Sequence, residues 1–165
     1  MKHLFVVRHG NYEGHNLTWD GKEDISYIVD AMKSVVSNDS LSHYLVSSHI
    51  PRAKQSAKII SDFFGLKKFD LNELLRLKEG RIPSVENLDQ INNLVQSVKN
   101  DYDIVTLSTH LEVINHYPFH FINSFFEKNV DFKRPFRNQA VHIDLEKRTY
   151  GLIPSLNSDK TYFSF

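Results

Sequence analysis

The 165-residue sequence contains no cysteine, which excludes disulfide bonds, thiolate nucleophiles and cysteine-ligated zinc sites. It has no apolar run that approaches the length of a membrane span, so we expect no membrane association. Lys2 and His3 lead directly into a strand pattern, which is unlike the start of a signal peptide. These absences together favour a cytoplasmic protein.

An excess of charge of one sign is also missing. Lysine and arginine together number 20, and aspartate and glutamate together number 20. Such a balance argues against a nucleic-acid partner or a membrane-surface partner, although it leaves room for a local basic pocket. Internal repeats, low-complexity stretches and linkers are absent as well. Because this length is ordinary for one domain, we expect a single domain over residues 1–165.

Short apolar runs alternate along the chain with segments of helical period. Apolar, β-branched runs predict strands, and apolar residues that recur at helical spacing predict amphipathic helices. Their alternation indicates an α/β fold, with three α/β/α layers around an open, mainly parallel sheet. The predicted strands span residues 3–7, 44–48, 67–71, 103–107, 140–145 and 149–153, and the predicted helices span 22–36, 52–64, 84–98 and 112–127.

Three segments are predicted to depart from this alternation. Residues 10–21 contain three glycines, two asparagines and an aspartate, which is typical of a loop. Pro118 should kink the last helix or divide it in two, because proline removes a helical hydrogen bond. Residues 154–165 show no clear period.

Cationic and hydroxyl side chains follow three of the predicted strands. In parallel sheets the ligand binds beyond the carboxyl ends of the strands, so these side chains are expected to share one edge. Arginine can fork onto phosphate oxygens, and histidine can act as a nucleophile, so the set suggests phosphoryl chemistry. The side chains are Arg8 and His9 after the first strand, Ser47, Ser48, His49 and Arg52 after the second, and Ser108, Thr109 and His110 after the fourth.

Five ordered motifs resemble those of the histidine phosphatase superfamily, the group that contains the cofactor-dependent phosphoglycerate mutases. The resemblance covers residues 4 to about 145 and implies a phosphoglycerate mutase-like fold. The motifs are Val7-Arg8-His9-Gly10 (family R-H-G), 17–22 (L-T-x-x-G-[RK]), 47–57 (S-S-x-x-x-R-A-x-Q-T-A), 108–114 (S-H-x-x-V-I, with a threonine before the histidine) and 138–141 (N-x-[SA]-[IV]).

The resemblance implies a covalent phosphohistidine mechanism, and nothing in the sequence implies an organic cofactor or a metal. His9 would attack the phosphorus and carry the phosphoryl group, while Arg8, Arg52 and His110 would bind its oxygens. His9 must be neutral to attack, so its other ring nitrogen is expected to bond a backbone carbonyl, with that of Gly10 as a candidate. Further phosphate contacts implied by the resemblance involve Asn16 and the backbone near Leu111, Asn138 and Gln139.

The general acid is expected among carboxylates that follow the second arginine, where the family commonly supplies it. Glu73 and Glu79 are both candidates. Residues 77–80, Leu-Lys-Glu-Gly, resemble the family motif L-R-E, so the resemblance favours Glu79, while Glu73 could equally face solvent. Glu112 stands near a position where relatives often have glycine or alanine, and it could also face the pocket.

The remaining histidines do not predict a metal site. His116 and His120 have the i, i+4 spacing that can bind zinc, but tyrosine follows His116 where glutamate would be needed. Pro118 lies between them and would disturb their shared face. His15 and His49 could instead face the pocket entrance, although His15 could equally be a histidine of a flexible loop.

Little length is available to cap the site. Residues 65–102 are mostly accounted for by one strand and one helix, whereas a mutase must exclude water around its intermediate. We therefore expect a phosphatase that acts on a phosphorylated small molecule or a phosphoprotein through phospho-His9. The alternatives are a mutase acting on a phosphorylated sugar acid and a phosphate-binding module without efficient chemistry. Aromatic residues are frequent between residues 117 and 136, and any that remain exposed could form a dimer surface, which leaves the oligomeric state open.

Overall fold

The strands and helices lie in the order predicted from the sequence, with three short strands added. In the computed structural model, the structure describes residues 1–36, 40–77, 80–128, 130, 135, 138–154 and 162–165. The strands in these residues are β1 His3–Arg8, β2 Tyr12–Glu13, β3 Asn16–Leu17, β4 His43–Ser47, β5 Asp70–Leu71, β6 Ile104–Thr109, β7 Ala140–Asp144, β8 Thr149–Ile153 and β9 Tyr162–Ser164. The helices are α1 Trp19–Val35, α2 Pro51–Phe63, α3 Val85–Val98 and α4 Leu111–Phe126, with a 3₁₀ turn at Glu73–Leu75.

Seven of the strands form one sheet in the order β5-β4-β6-β1-β7-β8-β9. Strands β5, β4, β6 and β1 pair in parallel, whereas β7, β8 and β9 each pair antiparallel with the strand before them in this order. The α/β fold with an open, mainly parallel sheet is thereby confirmed. Strand β1 lies at the centre, with a hydrogen-bonded neighbour on each side.

Helices cover both faces of the sheet, as the three-layer prediction requires. Along β1, Leu4 and Val6 pack into the core that α3 and α4 contribute to, while Phe5 and Val7 pack into the core of α1 and α2. All four side chains are fully buried. This alternation is the period-2 pattern of a strand buried on both faces.

The loop prediction was wrong for part of residues 10–21, and of the two outcomes predicted at Pro118, a kink or a division, the division does not occur, because tertiary contacts override local sequence. The segment predicted as a loop contains a small hairpin of β2 and β3, held by Gln55 of α2, whose Oε1 accepts a 2.7 Å hydrogen bond from the N–H of Leu17. Helix α4 is not divided at Pro118, whose neighbours Tyr117 and Phe121 are fully buried. Packing of this apolar face offsets the hydrogen bond that proline removes.

The tail, which showed no period in the sequence, adds the edge strand β9. The ring nitrogen Nδ1 of His142 lies 2.7 Å from the hydroxyl of Tyr162, and Nε2 of His142 lies 3.1 Å from Nδ1 of His3. His142 is also stacked on Phe5, with ring centroids 4.4 Å apart. These contacts fasten β9 to the centre of the sheet. None of the helices within the described ranges combines the length and apolar composition that crossing a membrane requires.

Candidate active site

The loop after β1 is held against the start of α1 by a contact between two glycines. A Cβ on Gly10 would lie 2.0 Å from the carbonyl oxygen of Gly21, and a Cβ on Gly21 would lie 1.9 Å from that of Asn11. Thr18 caps α1 by accepting a 3.1 Å hydrogen bond from the N–H of Gly21, and its own N–H donates to Asn11 O at 3.0 Å. These contacts fix the backbone just beyond His9 and require glycine in both motifs.

His9 is a buried, neutral imidazole at the carboxyl end of β1, with its side chain 2% exposed. Its Nδ1 lies 2.9 Å from the carbonyl oxygen of Gly10, which can only accept, so Nδ1 carries the proton and Nε2 keeps its lone pair. Burial, with smaller effects of His110, Arg52 and Arg8, lowers the pKa of His9 to about 3. The structure thus contains the hydrogen bond predicted for a nucleophilic histidine.

Arg52 connects the second motif to His9. Pro51 begins α2 and places Arg52 on its first turn, next to the end of β4. The Nε of Arg52 donates a 2.9 Å hydrogen bond to Nε2 of His9. Its guanidinium stacks on Tyr12, with Cζ 4.3 Å from the ring centroid, and the Tyr12 ring meets that of His9 edge-on at 5.0 Å. Tyr12 therefore supports both residues, a role that the sequence did not reveal.

Strand register brings the motifs to one level of the sheet. Arg8 of β1 is paired with Thr109 of β6, and Ser47 of β4 is paired with Ser108 of β6. The carboxyl ends of these three parallel strands therefore meet, as expected for a ligand site in such a sheet. The hydroxyl of Ser108 also donates a 2.9 Å hydrogen bond to the carbonyl of Ala53, which ties α2 to this edge.

His110 follows β6 directly and lies beside His9, with the ring centroids 5.1 Å apart. It is 4% exposed, and its Nε2 lies 2.9 Å from the hydroxyl oxygen of Ser48. Burial is the main cause that lowers the pKa of His110 to about 4, followed by the charge of Arg52 and other nearby arginines. Both imidazoles are therefore neutral near pH 7, and the positive charge of the site comes from its arginines.

One cavity of about 860 Å³ collects these side chains at the carboxyl edge of the sheet. Its lining brings together the four residues predicted to attack or bind the phosphoryl group, namely Arg8, His9, Arg52 and His110. Leu111 also lines it, as do His15 and His49, the two candidates for its entrance. The other lining residues are Tyr12, Ile50, Glu73, Arg76, Leu77, Gly80 and Glu112.

Three residues predicted near the phosphate lie outside this lining: Asn16, Asn138 and Gln139. The Oδ1 of Asn16 accepts a 2.8 Å hydrogen bond from Nε2 of Gln55, so its side chain fastens the β2–β3 hairpin to α2. The Nε2 of Gln139 donates a 3.1 Å hydrogen bond to the carbonyl of Pro154 and so joins the start of β7 to the end of β8. The side chains of Asn16 and Gln139 thus have structural partners, and Asn138 is not brought to the cavity.

Two described carboxylates line the cavity, Glu73 and Glu112. Glu79, the general acid favoured by the resemblance, lies outside the described residues. Glu112 is 9% exposed, and its Oε1 accepts a 2.9 Å hydrogen bond from the N–H of Gly80. Glu73 begins the 3₁₀ turn and is exposed. The structure therefore brings the second sequence candidate, Glu73, to the site.

Arg76 is the charged cavity residue that the sequence analysis missed. It follows the 3₁₀ turn, which is anchored because the buried Leu75 accepts a 2.8 Å hydrogen bond from the hydroxyl of Thr109. Its Nη1 lies 3.5 Å from Nε2 of His49. The sequence carried no clear signal for it, because a three-residue turn is too short to show a helical period.

The pair that suggested zinc spacing is arranged differently. The Nε2 of His120 lies 2.8 Å from a carboxylate oxygen of Asp89 on α3, so this histidine links two helices. Over the described residues, no three histidine, aspartate or glutamate side chains are grouped so that they could hold a metal ion.

Comparison with protein-family models and with curated protein sequences finds no match. Solved structures do match over nearly the whole chain. A structure assigned as an α-ribazole-5′-phosphate phosphatase of Escherichia coli shares 15% identity, covers 92% of this chain and 94% of its own, and has a TM-score of 0.57. A mycobacterial glucosyl-3-phosphoglycerate phosphatase in complex with VO3 shares 15% identity over 87% of this chain and 93% of its own, with a TM-score of 0.61.

A third structure, assigned as a phosphohistidine phosphatase of Agrobacterium tumefaciens, shares 14% identity over 94% of this chain and 98% of its own, with a TM-score of 0.60. At such low identity these likenesses concern the fold. The chain therefore has the phosphoglycerate mutase-like fold.

Proposed function

We propose that this protein is a phosphatase that hydrolyses a phosphomonoester, of a small molecule or a phosphoprotein, through a phosphohistidine intermediate on His9. The observation that carries the proposal is the hydrogen bonding of His9. With its Nδ1 proton directed to the carbonyl of Gly10, its lone pair is on Nε2, in a cavity that Arg8, Arg52 and His110 also line. The phosphatases among the structures with this fold add support.

In the first step, the substrate phosphate binds between Arg8 and Arg52, whose guanidinium groups match its oxygens. Arg52 exchanges its hydrogen bond to His9 Nε2 for one to a phosphate oxygen, which frees the lone pair. The bond from Nε2 to phosphorus forms as the ester P–O bond breaks, and a carboxylic acid protonates the leaving oxygen. The carbonyl of Gly10 stabilises the positive charge that develops on the ring.

In the second step, a water molecule attacks the phosphorus of phospho-His9. The P–N bond breaks, its electron pair returns to Nε2, and the carboxylate that gave its proton accepts one from the water. Inorganic phosphate then leaves, with the neutral imidazole and the protonated carboxyl restored. Arg8, Arg52 and His110 are placed to stabilise the charge on the phosphoryl oxygens in both steps.

We assign the general acid to Glu73, because this carboxylate lines the cavity and is exposed, whereas Glu112 is held by the Gly80 N–H. An alkoxide needs the proton more than a phenoxide does. Glu73→Gln should therefore lower kcat/KM on an alkyl phosphate by about 100-fold and on an aryl phosphate by less than about fivefold. If Glu79→Gln produces this pattern and Glu73→Gln does not, the acid is Glu79.

The test of the proposed function is hydrolysis of 4-nitrophenyl phosphate in the presence of a chelator. His9→Ala should abolish turnover, and Arg52→Ala should lower kcat/KM by about 100- to 1,000-fold because a charged phosphate contact is lost. His120→Asn, a histidine outside the site, is the matched control. An acid-labile phosphoryl group on His9, detected by mass spectrometry after rapid quenching, would support the intermediate.

The products separate the proposal from its alternatives. Release of inorganic phosphate supports a phosphatase. Transfer of the phosphoryl group to another hydroxyl of the substrate, without release, would identify a mutase. Phosphate binding by the wild type with turnover no faster than that of His9→Ala would identify a binding module and overturn the proposal.

A further inference from the structure

We infer that Arg76, together with His49, forms a second anion-binding subsite in the catalytic cavity, so the preferred substrate has a carboxylate or second phosphate on its leaving group. The inference rests on the proposed function and deepens it. The proposed site for one phosphate does not need Arg76, since Arg8, Arg52 and His110 line the same cavity and can bind its oxygens.

The charge of Arg76 is not neutralised by the described part of the chain. None of the described carboxylates forms an ion pair with it, although two of them line the same cavity. Its contact within 3.5 Å is the imidazole nitrogen Nε2 of His49, and the guanidinium, which cannot be deprotonated in a protein, keeps its positive charge. Such a group has donors for an incoming anion, which arginine can bind in a bidentate fork.

The position of Arg76 places this charge on the leaving-group side of the cavity. Arg76 N–H donates a 2.9 Å hydrogen bond to the carbonyl of Glu73, so it belongs to the same turn as the proposed acid. Thr109, the residue before His110, holds this turn through a hydrogen bond from its hydroxyl to the carbonyl of Leu75. The backbone of Arg76 is therefore set relative to the phosphate-binding residues, and its charge contributes to the lowered pKa of His110.

The walls around this subsite suit a leaving group with an apolar body and an anionic end. Ile50, Leu77 and Leu111 line the cavity together with Arg76 and His49. An aryl or short aliphatic group could contact these side chains while its anionic substituent reaches the guanidinium. We therefore expect the second charge to raise affinity through a charge-assisted hydrogen bond.

The test compares two aryl phosphates that differ only in charge, 4-carboxyphenyl phosphate and 4-carbamoylphenyl phosphate. The wild type should prefer the carboxylate, with a kcat/KM ratio of about 10, and Arg76→Gln should bring this ratio close to 1. Any effect of the substitution on folding or on the phosphate site cancels in the ratio. Arg81→Gln is the matched control, because Arg81 is exposed, five residues away and outside the cavity lining. Arg76→Lys should retain part of the preference.

The 2- and 3-carboxyphenyl isomers test at which ring position a carboxylate can contact Arg76. Phosphoserine peptides with aspartate or asparagine beside the phosphoserine test whether the second anion comes from a protein. A preference confined to the aryl series indicates a small molecule, and one confined to the peptides indicates a phosphoprotein. Both require that Arg76→Gln removes the preference. Equal ratios in wild type and Arg76→Gln in both series would overturn the inference.

Binding of phosphonates, which cannot be hydrolysed, keeps this result independent of the proposed function. Calorimetry should show that 4-carboxyphenylphosphonate binds the wild type about 10-fold more tightly than 4-carbamoylphenylphosphonate, and Arg76→Gln should lose the difference. If no phosphate ester is hydrolysed but this difference persists, the proposed function fails and the subsite stands. If esters are hydrolysed without any Arg76-dependent preference, the subsite fails and the phosphatase stands.

Discussion

The Nε of Arg52 donates a 2.9 Å hydrogen bond to Nε2 of His9, the atom proposed to attack phosphorus. The proposed nucleophile and the group that would bind the phosphate are thus joined before a substrate is present. This bond also orients the imidazole, since the opposite nitrogen is held by the carbonyl of Gly10.

His9 should remain an uncharged Nδ1–H imidazole throughout the pH range in which the protein is folded. Burial lowers its pKa to about 3, so its Nε2 should stay unprotonated from pH 8 to at least pH 5. Long-range ¹H–¹⁵N correlation spectra of the imidazoles measure this directly. Arg52→Gln should raise the pKa of His9, because one of the cations that lowers it is removed. A wild-type His9 that titrates near its ordinary value of 6.5 would contradict the prediction.

Tyr12 should act through its ring and not through its hydroxyl. The ring packs under the guanidinium of Arg52 and against the edge of His9, so Tyr12→Ala should lower kcat/KM by about 3- to 10-fold. Tyr12→Phe keeps the ring and should stay within about twofold of wild type. Aryl phosphate kinetics of the two variants give the comparison, and an equal loss in both would assign the effect to the hydroxyl instead.

Neither Gly10 nor Gly21 should tolerate a side chain. The new Cβ would lie about 2 Å from a backbone carbonyl oxygen, so each alanine variant should lower the free energy of unfolding by more than about 3 kcal/mol or prevent folding. Gly14→Ala is the matched control, because its Cβ would meet no atom within 4 Å and only its φ of +58° is unfavourable. It should cost about 1–2 kcal/mol in urea unfolding, and an equal cost at Gly10 would disprove the close contact.

The free energy of unfolding should decrease as the pH falls from about 7 towards 4. Burial, reinforced by His3, lowers the pKa of His142 to about 3, whereas the unfolded chain binds a proton at this residue near pH 6.5. Below that pH the unfolded state binds more protons, so each such histidine removes roughly 1.4 kcal/mol of stability per pH unit.

Urea unfolding at pH 8, 6.5, 5.5 and 4.5 tests this prediction for the wild type and for His142→Gln. Comparing each protein with its own value at pH 8 removes the fixed packing effect of the substitution. The variant should lose stability less steeply by about 1.4 kcal/mol per pH unit below pH 6. Identical slopes would show that His142 does not resist protonation in the folded state.

The sequence predicted the sheet, its helices and the three residues gathered around His9, because strand and helix patterns repeat over several residues. Arg8, His9, Arg52 and His110 also follow elements whose carboxyl ends meet whenever the strands are parallel. A local pattern was therefore enough to infer that residues far apart in the chain share one edge.

The sequence did not predict what depends on contacts between distant parts of the chain. The β2–β3 hairpin is stabilised by Gln55 from another element, and Tyr12 acquires its role only where Arg52 crosses it. Asn16 followed a family position, yet its side chain turns to Gln55. Arg76 was missed because a three-residue turn is too short to create a visible period.

The central position of β1 has a consequence for how this fold can change its chemistry. Its backbone is paired on both sides, so its amides should be among the slowest to exchange with deuterium. Arg8 ends this strand and His9 follows it directly, so both are attached to the most stable part of the sheet. Glu73 begins, and Arg76 follows, a three-residue turn after β5, which is a two-residue strand at the sheet edge. Evolution could thus rewrite the residues that meet the leaving group by altering one short peripheral segment, while the residues around the phosphorus remain unchanged.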